Sequence, residues 1–116
     1  MAITQEATGS HTISSVGSEE TPSGATLSTP SKTYVLVVDC DALAAGEYVE
    51  IKIKRDVRSA DSTRTMYSKI VSWLEGDTTG VIQMPPVPAA GGEITFTLKQ
   101  IGGSARAFPW AWETPG

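Results

Sequence analysis

Histidine and cysteine, two side chains that commonly act as a general base and a nucleophile near neutral pH, occur once each in this sequence. His11 is the one histidine, and it lies in a polar stretch that offers no rigid site to orient it. Cys40 is the one cysteine and stands between Asp39 and Asp41, whose negative charges disfavour the reactive thiolate. We therefore expect no catalytic role for His11, and we expect Cys40 to be a small, partly buried structural residue.

Acidic residues occur in pairs of the kind that glycosidases and cation sites use. Glu19–Glu20 lie in the N-terminal stretch, whereas Glu47 and Glu50 border a turn, and we expect both pairs to be surface groups. Asp39, Asp41 and Glu47 lack the spacing of a calcium-binding EF-hand loop. One cysteine and one histidine cannot complete a tetrahedral zinc site. The sequence therefore predicts a non-enzymatic protein with no catalytic residue, no metal and no cofactor.

Large aromatic side chains form the most informative group in the sequence: Trp73, Phe108, Trp110 and Trp112. If they were exposed, they could stack on sugar rings or anchor a protein partner. If they were buried, they would fill the core of a small domain, which needs large side chains for stability. We expect most of them in the core and keep Trp112 as a candidate partner contact. A carbohydrate-binding module is the alternative, and it requires exposed, coplanar tryptophans.

In most segments that must position these side chains, apolar and polar residues alternate as they do in β-strands. In Val49–Ile53, apolar residues alternate with charged ones, which indicates one buried and one solvent-facing side. Glu93–Gln100 alternates in the same way and places Thr95, Thr97 and Lys99 outward. The predicted strands are Tyr34–Val38, Val49–Ile53, Thr63–Leu74, Val81–Met84, Glu93–Gln100 and Phe108–Trp112.

Two segments are less regular. Thr63–Leu74 fits an amphipathic helix or a long strand, and its β-branched and aromatic residues favour the strand. One face of that strand would hold Thr65, Tyr67, Val71 and Trp73. Ala42–Gly46 reads as a single helical turn that a glycine ends. Short turns between strands favour antiparallel pairing, so the predicted fold class is all-β: a small antiparallel β-sandwich or barrel with an extended N-terminal arm.

The first thirty-two residues differ from the rest, because Ser, Thr, Gly and Pro dominate them and the apolar residues are isolated. Such a segment cannot bury enough surface to offset its ordering entropy alone. It is either a disordered tail or an arm that adds as an edge strand to a neighbouring subunit. We assign residues 1–32 to this arm and residues 33–116 to the β-sandwich domain, with Ile13, Val16 and Leu27 as candidate partner contacts.

Composition limits the classes of partner. A chain of 116 residues fits one domain, and its net charge of −4 argues against nucleic acid and anionic membranes. No apolar run approaches the ~20 residues of a membrane span, and the N-terminal residues lack the features of a secretory signal. A single cysteine excludes an internal disulfide, which suits a reducing cytoplasm.

Two stretches carry a resemblance: VLVVDCDALAAGEYVEIKIKRDV at residues 35–57 and ITFTLKQIGGSARAFPWAW at residues 94–112. Together they resemble a group of short virion structural proteins of tailed bacteriophages. The matching positions are Leu98, Lys99, Gln100, Gly103, Arg106, Phe108 and Trp110. The sequence departs from the group at Ile101-Gly102, where the group often has threonine and a small residue. The resemblance implies a structural component of a phage particle and brings no catalytic residue.

These observations lead us to expect a capsid decoration (cement) protein that binds the major capsid protein through its β-domain and N-terminal arm, in many symmetry-related copies, as a homo-oligomer or on the lattice. We expect it in the virion, assembled in the host cytoplasm. Arg55, Arg58 and Arg64 flank a polar turn and could bind a partner's carboxylates, or they could form a solvated hairpin tip. A neck or tail component of the particle is the alternative within the same class.

Overall fold

In the part of the chain that the structure describes, eight strands pair into two antiparallel sheets. The computed structural model describes residues 3–28, 30–56, 62–73, 80–88 and 92–115 of the chain. The strands are β1 (Ile3–Thr12), β2 (Thr33–Asp39), β3 (Tyr48–Arg55), β4 (Arg64–Ser72), β5 (Val81–Gln83), β6 (Val87–Pro88), β7 (Ile94–Ile101) and β8 (Ala107–Pro115). The larger sheet has the order β1-β8-β2-β5, with β6 also pairing to β2, and the smaller sheet has the order β4-β3-β7. The prediction of an all-β, antiparallel fold is confirmed.

The core lies between the two sheets. Phe96 of β7 packs edge-on against Trp110 and Trp112 of β8, with ring centroids 5.1 Å and 5.8 Å apart. Fully buried side chains come from both sheets and include Leu36, Val38, Val49, Ile51, Ile53, Phe96, Leu98, Phe108 and Trp112. Each such side chain contributes roughly 1.5–3 kcal/mol through removal of apolar surface from water. The expectation that most aromatic residues fill the core is therefore confirmed for β8.

The N-terminal segment joins the domain and does not extend away from it. β1 pairs along its length with β8, and Trp110 packs over Gly9, where a Cβ would approach the indole to 3.0 Å. Residues 13–28 then follow the open edge of β7, with backbone bridges at Glu20–Leu98 and Leu27–Ile94. The expectation of a separate arm is corrected, because backbone pairing and burial compensate for the ordering entropy that the composition alone could not offset.

The N-terminal segment also buries two threonines of β7. The alternation predicted that Thr95 and Thr97 face solvent, but only 7% and 4% of their surfaces are exposed. The hydroxyl of Thr26, in the N-terminal segment, donates a hydrogen bond to Thr95 Oγ1 at 2.9 Å. An edge strand covered by the chain itself is a common protection against unwanted strand pairing.

β4 is a strand, as its β-branched and aromatic composition predicts, but Thr65 does not face the core. Tyr67, Val71 and Trp73 pack against the core. The register between β3 and β4 shifts between Ile53 and Lys54, and Met66 is left out of the pairing. Thr65 therefore lies opposite the outward-facing Lys54 and is exposed, because an extra residue in one strand reverses the alternation.

Other predicted turns differ or fall outside the described residues. Ala42–Gly46 forms turns and no helical turn, although Gly46 adopts a positive φ of 81°. A left-handed backbone of this kind favours glycine. The polar turn around Arg58 lies outside the described residues. So do most of Gly76–Gly80 and of Ala89–Gly92.

Candidate functional site

An ion pair with a buried carboxylate joins Glu47 of the β2–β3 turn to Arg106, which directly precedes β8 and is partly exposed. Glu47 is only 4% exposed, and its two carboxylate oxygens accept hydrogen bonds from Nε and Nη2 of Arg106, both at 2.9 Å. The N–H of Ala44 donates to the same carboxylate at 2.8 Å. These hydrogen bonds, the one from Arg106 first, hold the pKa of the Glu47 carboxyl below its usual range. The expectation that Glu47 is a surface group is thus corrected.

Gln100 organises the turn that carries Arg106. Its side chain is completely buried; the amide nitrogen donates to the carbonyls of Gly102 and Ser104, and the amide oxygen accepts the Arg106 N–H at 2.9 Å. Gly103 has a positive φ of 73°, and a Cβ there would overlap the Glu47 carboxylate. Gln100, Gly103 and Arg106 belong to the phage-like pattern, so the matching polar positions build one turn.

His11 and Glu20 form a second polar cluster that fastens the N-terminal segment. His11 Nε2 lies 2.8 Å from Glu20 Oε1, and the same carboxylate accepts the N–H groups of Ser14 and Ser15. Burial alone would raise the pKa of Glu20, but the hydrogen bonds outweigh it and lower the pKa from 4.5 to about 2. This arrangement holds the corner after β1 in place.

Glu19, the other member of the acidic pair, faces lysines on β3. A hydrogen bond from Lys54 is the largest cause that lowers the pKa of Glu19, and the positive charges of Lys54 and Lys52 add to it. Lys52 Nζ lies 3.6 Å from the same carboxylate and 3.7 Å from Glu50. The acids predicted as pairs are therefore used in separate ion pairs.

Several residues predicted to contact a partner are part of the core. Ile13 is 2% exposed and Trp112 is not exposed at all, while Val16 and Leu27 pack partly buried against the core. Trp112 Nε1 donates to the Ala25 carbonyl at 2.8 Å. Ile13 and Trp112 are thus corrected from partner contacts to core residues, because the N-terminal segment folds onto its own domain.

Burial of the tryptophans also removes the carbohydrate-binding alternative. That alternative required exposed, coplanar rings, but Trp110 is only 4% exposed and Trp112 is fully buried. The remaining tryptophan, Trp73, is half-buried and packs against the core. The Cys40 side chain is fully buried and its Sγ lies 4.0 Å from the Val38 carbonyl, which agrees with the structural role expected of it. Asp39 accepts the N–H of Asp41 at 2.9 Å, a local turn contact.

Two of the three predicted basic contacts lie together at one end of the smaller sheet. Arg55 and Arg64 are directly opposite each other in the β3–β4 pairing. They line an open groove of about 420 Å³ with Thr65 and Met66, and Arg55 Nη1 donates to the Pro88 carbonyl at 2.7 Å. Among the described residues, no carboxylate forms an ion pair with either arginine. Arg58 lies outside the described residues.

The outer face of the smaller sheet carries an exposed apolar group that sequence reasoning missed. Tyr48, Ile70 and Ile101 are 43%, 54% and 40% exposed. Tyr48 lies directly opposite Ile101, and Ile70 lies opposite the next outward residue, Glu50. We call Tyr48, Ile70 and Ile101 the outer patch. The three residues belong to three strands, so only the register between strands brings them together.

A shallow groove of about 310 Å³ adjoins the outer patch. Gly46, Glu47, Tyr48, Ser72 and Trp73 line it. The ion pair of Glu47 with Arg106 fixes one wall of this groove. The outer patch and its groove together offer a partner one apolar surface beside a fixed polar wall, which is the composition of many protein interfaces.

Two further tests of the described residues concern metals and membranes. Within residues 3–28, 30–56, 62–73, 80–88 and 92–115, no group of three or more His, Cys, Asp or Glu side chains is arranged to hold a metal ion. The same residues include no helix with the length and apolar character needed to cross a membrane. Comparisons with protein-family models, with curated proteins and with solved structures gave no match.

Proposed function

We propose that the chain is a structural protein of a bacteriophage virion and that it decorates the capsid shell. The observation that carries the proposal is the outer patch, where Tyr48, Ile70 and Ile101 expose apolar surface side by side on one sheet face. Contiguous exposed apolar groups mark interaction surfaces more often than scattered ones do. The phage-like sequence pattern supplies the class of partner, which is the major capsid protein or another virion protein.

Polar residues around the outer patch would orient the partner. Glu50 lies opposite Ile70 on one side and opposite Lys99 on the other. Charges at the rim of an interface contribute more to the choice of partner than to affinity, whereas a central aromatic residue such as Tyr48 contributes more to affinity. The expected docking surface is therefore the outer face of β4-β3-β7.

The N-terminal segment has a different role in this proposal from the one that the sequence predicted. β1 and residues 13–28 are paired with β8 and β7 of the same chain, so the described residues form a preassembled body. A rigid body loses little conformational entropy when it binds. Many weak contacts on a repeating shell then add up through avidity, without a strap to a neighbouring subunit.

Co-sedimentation with capsid shells of the phage that encodes the chain tests the proposal. We expect saturable binding of the full chain and at least about tenfold weaker binding of Ile101→Glu, equivalent to about 1.4 kcal/mol. The matched control is Val81→Glu, which changes a residue on β5 of the other sheet that is 53% exposed, against 40% for Ile101, and should bind within about twofold of the parent.

Either of two results would contradict the proposal. One is the absence of binding by the parent chain at concentrations at which it stays folded and dispersed. The other is equal weakening by Ile101→Glu and Val81→Glu, which would remove the outer patch as the docking surface. Removal of residues 1–31 would not test the role of the N-terminal segment in binding. It would also remove β1 and the buried Ile13 and Ala25, and so would disturb the fold.

A further inference from the structure

Most edges of the two sheets are protected against pairing with another chain. Residues 17–27 cover the edge of β7, and every exposed residue of β1 from Thr4 to Thr12 is polar or glycine. β5 has only three residues, and β6, which continues that edge, contains a proline. Covered edges, charged or polar edge residues, short strands and prolines all disfavour pairing with another chain. Among the described residues, β4 is the long uncovered edge that exposes large apolar side chains.

β4 presents a long edge with exposed apolar residues. It has nine residues and, among the described residues, pairs only with β3, with one irregularity in that pairing at Met66. Met66 and Ile70 are 38% and 54% exposed. Met66 is two residues before Ser68 and Ile70 is two residues after it. The exposed apolar residues of β4 are therefore placed symmetrically about Ser68.

We propose that two copies of the chain pair through β4, antiparallel, about a twofold axis that passes at Ser68. Each Met66 then lies opposite Ile70 of the other copy, and the three strands of each smaller sheet become one continuous sheet. An interface of this kind is isologous, which is the commonest arrangement in homodimers. The inference goes beyond the proposed function and does not depend on it.

The charges on β4 favour this register over its neighbours. With Ser68 on the axis, Arg64 lies opposite Ser72 and Lys69 lies opposite Tyr67 of the other copy. An axis at Lys69 would instead place two lysines opposite each other, which is destabilising. An axis at Tyr67 would place Ile70 opposite Arg64 and leave the apolar residues without apolar neighbours. The Ser68 register is therefore the one that satisfies both charge and apolar contact.

The dimer would place two outer patches on the same side of one sheet. In an antiparallel pair, residues that lie opposite each other point to the same face. Ile70 belongs to the outer patch, so the outer faces of both copies are continuous across the axis. Two linked docking surfaces bind a repeating shell more tightly than either alone.

A cysteine at position 68 tests the register. Residues opposite each other in antiparallel strands have Cα atoms about 4.5–5.5 Å apart, within the range of about 4.4–6.8 Å that a disulfide needs. Cys40 is fully buried, so Ser68→Cys adds the accessible thiol. We expect mild oxidation to give a covalent dimer from Ser68→Cys and none from the control Ser10→Cys, an exposed position on the other sheet.

A second substitution separates a specific dimer from chance collisions. Ile70→Lys places a charge at the edge, where lysine opposes strand pairing, and should abolish crosslinking in the Ser68→Cys background. Sedimentation of the parent chain should show dimers at about 100 µM, with at least about tenfold weaker association in Ile70→Lys and unchanged association in Val81→Lys.

Three results would overturn the inference. They are a parent chain that stays monomeric at that concentration, a dimer whose Ser68→Cys form does not crosslink, and crosslinking that persists with Ile70→Lys. The docking test with Ile101→Glu uses a residue on β7, on the far side of β3 from this edge. Failure of the dimer and failure of the shell-binding proposal can therefore be told apart.

Discussion

Replacing Trp112 with phenylalanine tests whether this residue is part of the core or a partner contact. The Trp112 indole is fully buried and donates to the Ala25 carbonyl at 2.8 Å, and Ala25 is itself fully buried. Trp112→Phe keeps an aromatic ring but leaves that carbonyl without its donor. The unpaired carbonyl costs about 1–3 kcal/mol, and the smaller ring adds roughly 1–2 kcal/mol for the gap it leaves.

The expected total is a loss of about 3 kcal/mol in the free energy of unfolding, or about 10 °C in Tm for a domain of this size. Urea denaturation followed by far-ultraviolet circular dichroism measures it. Amide hydrogen exchange should also quicken in residues 13–28, because the lost bond ties that segment to β8. Trp73→Phe is the matched control, since Trp73 is only half-buried, and it should lose less than about 1 kcal/mol.

A loss below about 1 kcal/mol in Trp112→Phe, with unchanged exchange in residues 13–28, would refute the reasoning. A residue that served only as a partner contact would behave in that way. Its replacement would leave the isolated domain stable and would weaken only the binding of the partner.

Three other predictions concern charged side chains. The pKa of Glu20 falls from 4.5 to about 2 on folding, so its contribution to stability is complete above pH 4.5 and is lost as the pH falls towards 2. That shift is equivalent to at most about 3 kcal/mol, which solvent screening reduces to about 1–2 kcal/mol. Glu20→Gln should therefore be less stable at pH 7, and the difference from the parent should vanish near pH 2 in acid titrations; a constant difference would contradict the assignment. Arg106→Lys loses the paired hydrogen bonds to Glu47 and should lower Tm in calorimetry, and adding Glu47→Gln should recover part of the loss, whereas an unchanged Tm would contradict this role. Arg64→Thr removes the like charge opposite Arg55 and should raise the free energy of unfolding by a few tenths of a kcal/mol in low salt, with a smaller gain in high salt; a loss of stability would count against the repulsion.

The core strands could be predicted from alternation alone. Val49, Ile51 and Ile53 are all fully buried, as their period of two indicates. β7 shows the limit of the method, because its inward residues were predicted correctly but Thr95 and Thr97 were not. Alternation reports on the two faces of a strand and cannot show that a distant segment covers one of them.

The N-terminal segment and the polar clusters could not be predicted for a related reason. The composition of residues 1–32 indicates a segment that cannot fold alone. The segment is ordered because it pairs with β7 and β8, which its composition does not reveal. The ion pair of Glu47 with Arg106 joins residues 59 positions apart, and no local pattern identifies such a pair. The outer patch depends on the register of three strands, which the sequence does not specify by spacing.

Quantitative mass spectrometry of purified virions tests the central claim most directly. The measurement is the number of copies of this chain for each copy of the major capsid protein in the same particles. A decoration protein should be present in a simple ratio close to the number of capsid subunits or capsomers. Absence of the chain from the particles would contradict a virion role, and a copy number that fits one small ring would contradict decoration and assign the chain to the neck or tail.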